Sequence, residues 1–424
     1  MITLDPELIG NILIKDFSHF HDRVPVSTIS YRLDHHVAVA GGNNWKLMRN
    51  KLNPIFSTIK LKSMFDLMVS FSNTLESFVK NYSISGKLMD AKEAMGKYTT
   101  DLIGSCMFNM QFNTLRDTNS KYWSISKKIV PNSTKAILLI IVRSVYPTLL
   151  SWFKISEVSS DVEEFFYNFL QQLLLLREND NVQPNDLMQL MINTKYEEIF
   201  KTNDREKKDI LFNDKVIASN MFLFYSSGYD SPSTTLSYCL YDLALYPEIQ
   251  DRVRAEIMKV LEANNGTLTY DSLSDLVYME MVLSETLRLH SPVGMFSRLC
   301  VKTYKIPGSS LVLQPGDNLI IPIYAIHNDE KNYPVPSKFD PERFSEENKS
   351  KIKPYTYLPF GLGPRYCIGT KFTLMEMKIC LTTLLKKFKF SSCSKTEIPL
   401  EVNPKAIPLI FPPKNGVWLQ VNEI

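Results

Sequence analysis

A cysteine inside a glycine-rich loop is the feature that most constrains this chain. Residues 359–369 read Pro-Phe-Gly-Leu-Gly-Pro-Arg-Tyr-Cys-Ile-Gly, and an apolar segment predicted as a helix, Thr370 to Lys386, follows at once. Glycines permit backbone angles and close approaches that other residues do not. The unpaired N–H groups and the dipole at a helix start favour the thiolate form of Cys367. The loop therefore predicts a cysteine held ready to bind a metal or a flat ligand.

Two neighbours of this cysteine narrow the chemistry. Phe360 can shield the sulfur from water, and the Arg365 guanidinium can form a bidentate pair with a carboxylate. A shielded thiolate beside an arginine suits ligation of haem iron, with Arg365 on a haem propionate. The alternative is a buried structural cysteine, which is the usual state of a free cysteine. We assign that state to the other five, at 106, 239, 300, 380 and 393, because they are widely spaced.

Apolar periodicity predicts a mainly helical chain with small β-sheets. Predicted helices cover 61–79, 162–176, 215–245, 248–263 and 278–289, and short strands at 301–306 and 318–321 follow Pro292. The tail, 404–421, is predicted to form a hairpin. A length of 424 residues could accommodate two or three domains, but no flexible linker interrupts the chain, so we expect one. A net charge of +3 gives no reason to expect nucleic-acid binding.

The cysteine loop resembles the haem-binding signature of the cytochromes P450, and the resemblance extends over almost the whole chain. It implies the cytochrome P450 fold, mainly α with small β-sheets, with haem b between the long central helix and the cysteine loop with the last helix. Cys367 would be the iron ligand, and Phe360, Arg365 and Gly369 would contact the cofactor.

Glu285-Thr286-Leu287-Arg288 resembles the family's Glu-x-x-Arg motif, and Phe339 to Phe344 resembles the later segment whose arginine, here Arg343, completes an ion network. Residues three apart share one helix face, so Glu285 and Arg288 can meet. The alternative is an ordinary surface ion pair of little energetic weight. By resemblance the role is structural.

Trp45 and Arg49 resemble the family's Trp-x-x-x-Arg, and Arg298 matches a further arginine that binds a propionate. Residues four apart lie on one helix face, so an indole N–H and a guanidinium can donate to the same carboxylate. The alternative is an arginine lying along a core tryptophan.

Residues 227–231, Ser-Gly-Tyr-Asp-Ser, resemble the family's oxygen-activation segment. Asp230 and Ser231 would relay protons during oxygen activation. The segment departs from the family pattern because serine replaces threonine and Pro232 follows. Serine lacks the methyl group that restricts its rotamer, and we expect the proline to open the helix locally. The alternative is a polar kink in a core helix.

Substrate and partner surfaces follow from the resemblance alone. The positions expected to contact substrate are Phe222, Phe224, Ser227, Val293, Phe296 and Ile410. Their mostly apolar character suits a lipophilic small molecule, although core packing would explain each one as well. The cations expected on the electron-donor side are Lys46, Arg49, Lys51, Lys60, Lys62, Lys371 and Lys378. A solvated face is the alternative there.

The resemblance implies a haem-thiolate monooxygenase. Its sequence resembles the insect xenobiotic-metabolising enzymes of the microsomal type most. Electrons from NADPH would arrive through NADPH–cytochrome P450 reductase, with cytochrome b5 left open as a second donor. We expect residues 1–424 to form a single domain without the usual N-terminal anchor, hinge and first strand, at the cytosolic face of the endoplasmic reticulum membrane. Two alternatives stay open: a catalytically impaired haem-binding protein from a truncated gene product, and a haem-thiolate isomerase or dehydratase.

Overall fold

Helices account for most of the structure, as the apolar periodicity predicts. The computed structural model describes residues 1–23, 32–129, 158–179, 186–201, 211–403 and 411–424, together with 30, 156 and 184. Within these ranges the α-helices are α1 Pro6–Gly10, α2 Gly42–Leu52, α3 Thr58–Ser85, α4 Ala91–Phe108, α5 Lys121–Ile129, α6 Ser160–Asn179, α7 Leu187–Lys201, α8 Asp214–Leu245, α9 Pro247–Ala263, α10 Val277–Leu289, α11 Ile323–His327 and α12 Thr370–Leu385. The helices predicted from the sequence are confirmed to within three residues at each end, except that α3 ends at Ser85, six residues after its predicted end.

The described strands are short and pair antiparallel. They are β1 Met89–Asp90, β2 Phe296–Leu299, β3 Tyr304–Lys305, β4 Val312–Leu313, β5 Asn318–Ile321, β6 Phe388–Ser391 and β7 Trp418–Glu423. They form the sheets β1-β7-β6, β2-β5 and β3-β4. Strand β2 pairs Phe296 with Ile321 and Leu299 with Asn318 of β5. This pairing fixes the position at which the segment that precedes β2 ends.

Helix α8 runs through the core beside α4. Asn213 caps its start, since the side-chain oxygen accepts a hydrogen bond from the Val216 N–H at 3.1 Å. The Thr99 hydroxyl of α4 donates to the Tyr229 carbonyl of α8 at 2.9 Å. Both helices are buried around most of their circumference, which explains why α8 is apolar or small on nearly every face rather than amphipathic.

Helix α12 places the start of a buried helix directly after the cysteine loop. Its first residue is Thr370, whose hydroxyl donates to the Cys367 carbonyl at 2.9 Å. From Met375 to Leu385 the helix is buried on every face. The loop therefore leads into a rigid element, as its apolar continuation predicts.

The end of the chain contains antiparallel pairing beyond the predicted hairpin. Val402 pairs with Pro413, the Asn403 N–H donates to the Pro412 carbonyl at 3.0 Å, and residues 404–410 between them lie outside the described residues. The last strand, β7, pairs with β6 and β1, which lie far apart in the sequence. Alternating apolar residues show that a strand is present but not which partner it takes, because pairing depends on the tertiary fold.

None of the described helices combines the length and apolarity needed to cross a bilayer.

Candidate functional site

The cysteine loop folds around two glycines in the left-handed region. Gly361 has φ of 73° and Gly363 has φ of 70°. A Cβ atom on Gly363 would lie 1.9 Å from the Leu13 carbonyl oxygen, so only glycine fits there. The Cys367 N–H donates to the Phe360 carbonyl at 2.8 Å and closes the loop. Of the six cysteines, all described, Cys367 is the exposed one.

The exposed Cys367 lies in the wall of a cavity of about 290 Å³. The wall combines the cysteine loop with one face of α8, with α2, and with the segment that precedes β2. The lining residues that the sequence also singles out are Trp45, Arg49, Phe224, Ser227, Ser231, Val293, Phe296, Phe360, Arg365, Cys367 and Gly369. Residues spread over more than 300 sequence positions therefore converge on one cavity, and the wall is mostly apolar.

A cluster of arginines lies at this cavity. Arg23, Arg49 and Arg365 line it, and the buried Arg298 lies near enough to Arg23 and Arg365 for their charges to act on it. Burial lowers the pKa of Arg298 well below its usual value, and Arg23 and Arg365 lower it further. Burial, followed by the charge of Arg23, lowers the pKa of Arg365 to about 9. The cations thus repel one another, and an anionic ligand would relieve this repulsion.

Two of these arginines have donor groups without a partner. The Nε atoms of Arg23 and Arg298 are buried and make no hydrogen bond to any described residue. Asp22 is the acid in contact with the cluster, at 3.4 Å from Arg365 Nη2. Buried donors in native proteins are nearly always satisfied. The cluster therefore fits a ligand that carries carboxylates, such as the propionates of haem b.

The residues predicted to bind propionates differ in how far their donor groups are already hydrogen-bonded within the protein. The Arg365 guanidinium lies 4.3 Å from the Trp45 ring centre, which brings those two residues together. However, Arg365 already donates to the His21 and Ala40 carbonyls, at 2.5 and 2.7 Å. Arg49 lies over the Tyr366 ring at 5.2 Å. Sequence reasoning gave Arg23 no role in cofactor binding, because Arg23 belongs to none of the motifs from which those contacts were inferred.

Glu285, Arg288 and Arg343 meet in a buried ion network. Arg288 Nε and Nη2 donate to the two Glu285 oxygens at 2.7 and 2.8 Å, and Arg343 Nε lies 3.3 Å from Glu285. Arg288 also donates to the His327 and Pro336 carbonyls, both at 2.8 Å. Burial raises the pKa of Glu285, although Arg288 opposes this. The network ties α10 to the irregular chain before the cysteine loop.

One face of α8 brings small residues into the cavity wall, namely Ser227, Gly228 and Ser231. A Cβ atom on Gly228 would lie 2.3 Å from Ile103 Cδ1, so glycine is needed for close packing on α4. The Ser231 hydroxyl donates to the Ser227 carbonyl at 2.8 Å. The helix continues through Pro232 without a break, in contrast to the predicted opening. Packing along the whole length of α8 keeps the helix intact at the proline.

Asp230 does not lie in the described cavity wall. It is buried and binds Lys92 Nζ at 2.8 Å, and Lys92 also contacts the Ser233 and Thr234 hydroxyls at 2.7 Å each. Successive residues on a helix point about 100° apart, so Asp230 and Ser231 face different neighbours. No hydrogen bond joins the two side chains among the described residues, and their part in proton delivery stays a prediction.

The candidate substrate contacts separate into three groups. Phe224, Ser227, Val293 and Phe296 line the cavity. Phe222 is not part of its wall, because it lies two residues before Phe224 on α8 and its ring packs on Phe166 at 5.4 Å. Ile410 lies outside the described residues.

A second cleft, of about 660 Å³, lies beside the cysteine loop and shares Trp45, Arg49 and Tyr366 with the first cavity. Lys46, Arg49, Tyr366 and Lys371 line it. Lys378 does not belong to this surface, because it is buried on α12 and binds Glu280 at 2.8 Å. Of the other predicted cations, Lys51 pairs with Glu197 at 3.1 Å and Lys62 with Asp271 at 2.9 Å. The cleft thus carries a smaller positive patch than the sequence predicts.

The residues of this site all lie within the part of the chain that matches known proteins. The sequence model of the family described as "Cytochrome P450" matches residues 1–419. "Cytochrome P450 6a2" of Drosophila melanogaster is 37% identical, over 99% of this chain and 84% of that protein. "Cytochrome P450 6k1" of Blattella germanica is 33% identical, over 97% of this chain and 82% of that protein. "Cytochrome P450 9e2" of the same insect is 34% identical, over 100% of this chain and 83% of that protein.

Proposed function

Because the chain belongs to the cytochrome P450 family, we propose that it oxidises a lipophilic small molecule in the cavity that contains Cys367. The protein is a haem-thiolate monooxygenase with haem b as its cofactor. One atom of O2 enters the substrate, the other leaves as water, and a redox partner supplies the electrons. The observation that supports this cavity as the site is an exposed cysteine together with two arginines, Arg23 and Arg298, whose buried Nε–H groups lack partners among the described residues.

We infer the cofactor contacts from these free groups. Cys367 lines the cavity and would bind the iron, while Arg23, Arg298 and Arg49, with Trp45, would hold the propionates. When bound, the haem supplies the redox-active iron that activates dioxygen. Arg365, which is bound to backbone carbonyls, would mainly orient this end of the site. The ion network around Glu285 would fix the chain that leads to the loop.

On the α8 side we propose that Ser231 holds the proton-donating hydroxyl at the cavity wall. Gly228 leaves space beside it. Asp230 would receive protons from the side of α8 that faces Lys92. The Lys92 side chain is 15% exposed and connects the surface to Asp230, whose side chain is 4% exposed. A proton arriving at Asp230 must still reach Ser231, so a change of the Ser231 rotamer or a water is needed to connect them.

The carbon monoxide difference spectrum of the reduced protein tests the iron ligand. We expect the thiolate-type spectrum in the wild type and its loss in Cys367→Ala. Cys393→Ala serves as the matched control, because Cys393 is a half-buried cysteine outside the cavity and its removal should leave the spectrum unchanged. A thiolate-type spectrum that persists in Cys367→Ala would exclude this residue as the ligand.

Substrate-dependent NADPH consumption tests the reaction and the partner. We propose NADPH–cytochrome P450 reductase as the electron donor and cytochrome b5 as a second donor, both docking on the cleft of Lys46, Arg49 and Lys371. We also propose that the protein acts as one domain at the cytosolic face of the endoplasmic reticulum membrane, as its resemblance to microsomal enzymes implies. Product formation without NADPH and reductase would favour an isomerase or dehydratase. Haem binding without any turnover would favour an inert binder.

A further inference from the structure

A histidine directly after α10 joins the core helix α8 to the chain that enters the cavity wall. His290 Nε2 lies 3.0 Å from Asp242 Oδ1, and Asp242 is buried on α8. The His290 ring also stacks on Tyr238, with ring centres 4.6 Å apart and planes 10° apart. His290 is therefore held from two positions on one rigid helix.

The residues that follow His290 line the cavity. Pro292, Val293 and Phe296 are part of its wall. The Ser291 hydroxyl donates to the Val293 carbonyl at 2.8 Å and holds this short segment in a turn. The Tyr324 N–H also donates to the Gly294 carbonyl at 3.1 Å, and β2 begins at Phe296. His290 is therefore the anchor at the start of the segment 291–296.

Tyr238 connects the same helix to a second segment, at Phe411. The Tyr238 hydroxyl donates to the Phe411 carbonyl at 2.8 Å, and the Phe411 N–H donates to the Pro292 carbonyl at 3.0 Å. The Phe411 ring lies against Gly294 so closely that a Cβ atom there would be 2.2 Å from the ring. The two segments are locked to each other and, through Tyr238 and His290, to α8.

We propose that Tyr238, Asp242 and His290 form a clamp that determines which lipophilic substrates the cavity accepts. Tyr238, Asp242 and His290 are absent from the described cavity wall, so they act as positioning residues through the segment 291–296 and Phe411. Loss of one contact lets both segments shift, which changes the wall at Val293 and Phe296. The proposal rests on the proposed function, because it takes this cavity as the substrate site.

The test uses the haem-loaded full chain and three azole probes of increasing reach: imidazole, 4-phenylimidazole and miconazole. Each binds the iron, so the shift of the haem absorption band gives its dissociation constant. In Tyr238→Phe we expect the constant for imidazole to stay within two-fold, because this probe is too small to touch the far wall. The constant for miconazole should change at least five-fold, as expected when a buried hydrogen bond that fixes the wall is lost.

Tyr357→Phe is the matched control. Tyr357 also stacks on a histidine, His327, at 5.7 Å and also donates its hydroxyl to a backbone carbonyl, that of Ser284, at 3.2 Å. It has no contact with the segment 291–296 or Phe411 among the described residues. Its removal should therefore leave the ratio of the miconazole and imidazole constants unchanged.

His290→Ala and His290→Gln complete the series, and they also serve if Tyr238→Phe does not fold. Alanine should change the same ratio at least five-fold, and glutamine, which can still donate to Asp242, should recover part of the wild-type value. Equal ratios in the wild type, Tyr238→Phe and both His290 variants would refute the clamp. A wild type without a thiolate-type spectrum would refute the proposed function instead, so the two failures are distinguishable.

Discussion

Glu376, a buried carboxyl on α12, allows a sharp test of the electrostatics of the helix that follows the cysteine loop. Its side chain has no exposed surface, and neither carboxyl oxygen makes a hydrogen bond to a described residue. Burial raises the pKa of Glu376 well above its ordinary 4.5. Tyr98 and Cys106 of α4 and Cys380 of α12 face it, and none of them supplies a positive charge. We therefore expect the carboxyl to be protonated in the folded protein at neutral pH.

The consequence is a pH dependence of stability with a definite sign. Above pH 4.5 the unfolded chain releases this proton and the folded chain keeps it, so the free energy of unfolding falls as the pH rises. The stabilisation from the retained proton is complete below pH 4.5 and is lost as the pH rises through the folded pKa. Between pH 4.5 and the folded pKa, each pH unit lowers the free energy of unfolding by about 1.4 kcal/mol.

Replacement of Glu376 by Gln removes the titrating group and nearly keeps its shape. The difference in unfolding free energy between Glu376→Gln and the wild type should therefore shift in favour of the variant as the pH rises from 6 to 8, by up to about 1.4 kcal/mol per pH unit. Urea midpoints of the haem-loaded proteins at pH 6, 7 and 8, followed by circular dichroism, would measure it. Glu262→Gln, at an exposed position on α9, should run parallel to the wild type. Parallel curves for Glu376→Gln as well would show that Glu376 is ionised in the fold and would refute the reasoning.

Four further substitutions test other buried charges and the cavity wall. Glu285→Ala leaves the Arg288 guanidinium buried without its carboxylate and should cost about 3–5 kcal/mol, seen as a lower thermal midpoint; a change below 1 kcal/mol would contradict the network. Lys92→Met leaves the Asp230 carboxylate buried and unpaired and should cost about 3 kcal/mol in urea unfolding, whereas an unchanged midpoint would mean that water already solvates Asp230. Ser231→Ala should release more peroxide per NADPH consumed; unchanged coupling of product to NADPH would count against a role for this hydroxyl in proton delivery. Arg23→Met should increase the rate at which haem transfers to apomyoglobin by roughly ten-fold, the effect of losing about 1.4 kcal/mol, and an unchanged rate would exclude Arg23 as a propionate contact.

Local patterns predicted much of this protein because they act over short distances. The spacing of apolar residues specifies which segments are helical, and the loop that carries Cys367 needs its glycines for backbone geometry that only glycine adopts easily. The Glu285–Arg288 pair also follows from helical spacing alone. Family membership followed from the combination of these motifs in order along the chain.

The tertiary structure decided which of the candidate residues face one another. Helix rotation puts Ser231 in the cavity wall and Asp230 against Lys92, and it turns Phe224 inward and Phe222 towards Phe166. Residues that are adjacent in the sequence of a helix point in directions about 100° apart. Packing of α8 against α4 and α6 therefore determines which of them face the cavity. Arg23 has no motif of its own, and the fold alone brings it beside Arg298 and Arg365. The sequence by itself determined the chemistry of the loop and the order of the elements, whereas long-range packing selected the charges and hydroxyls that reach the cavity.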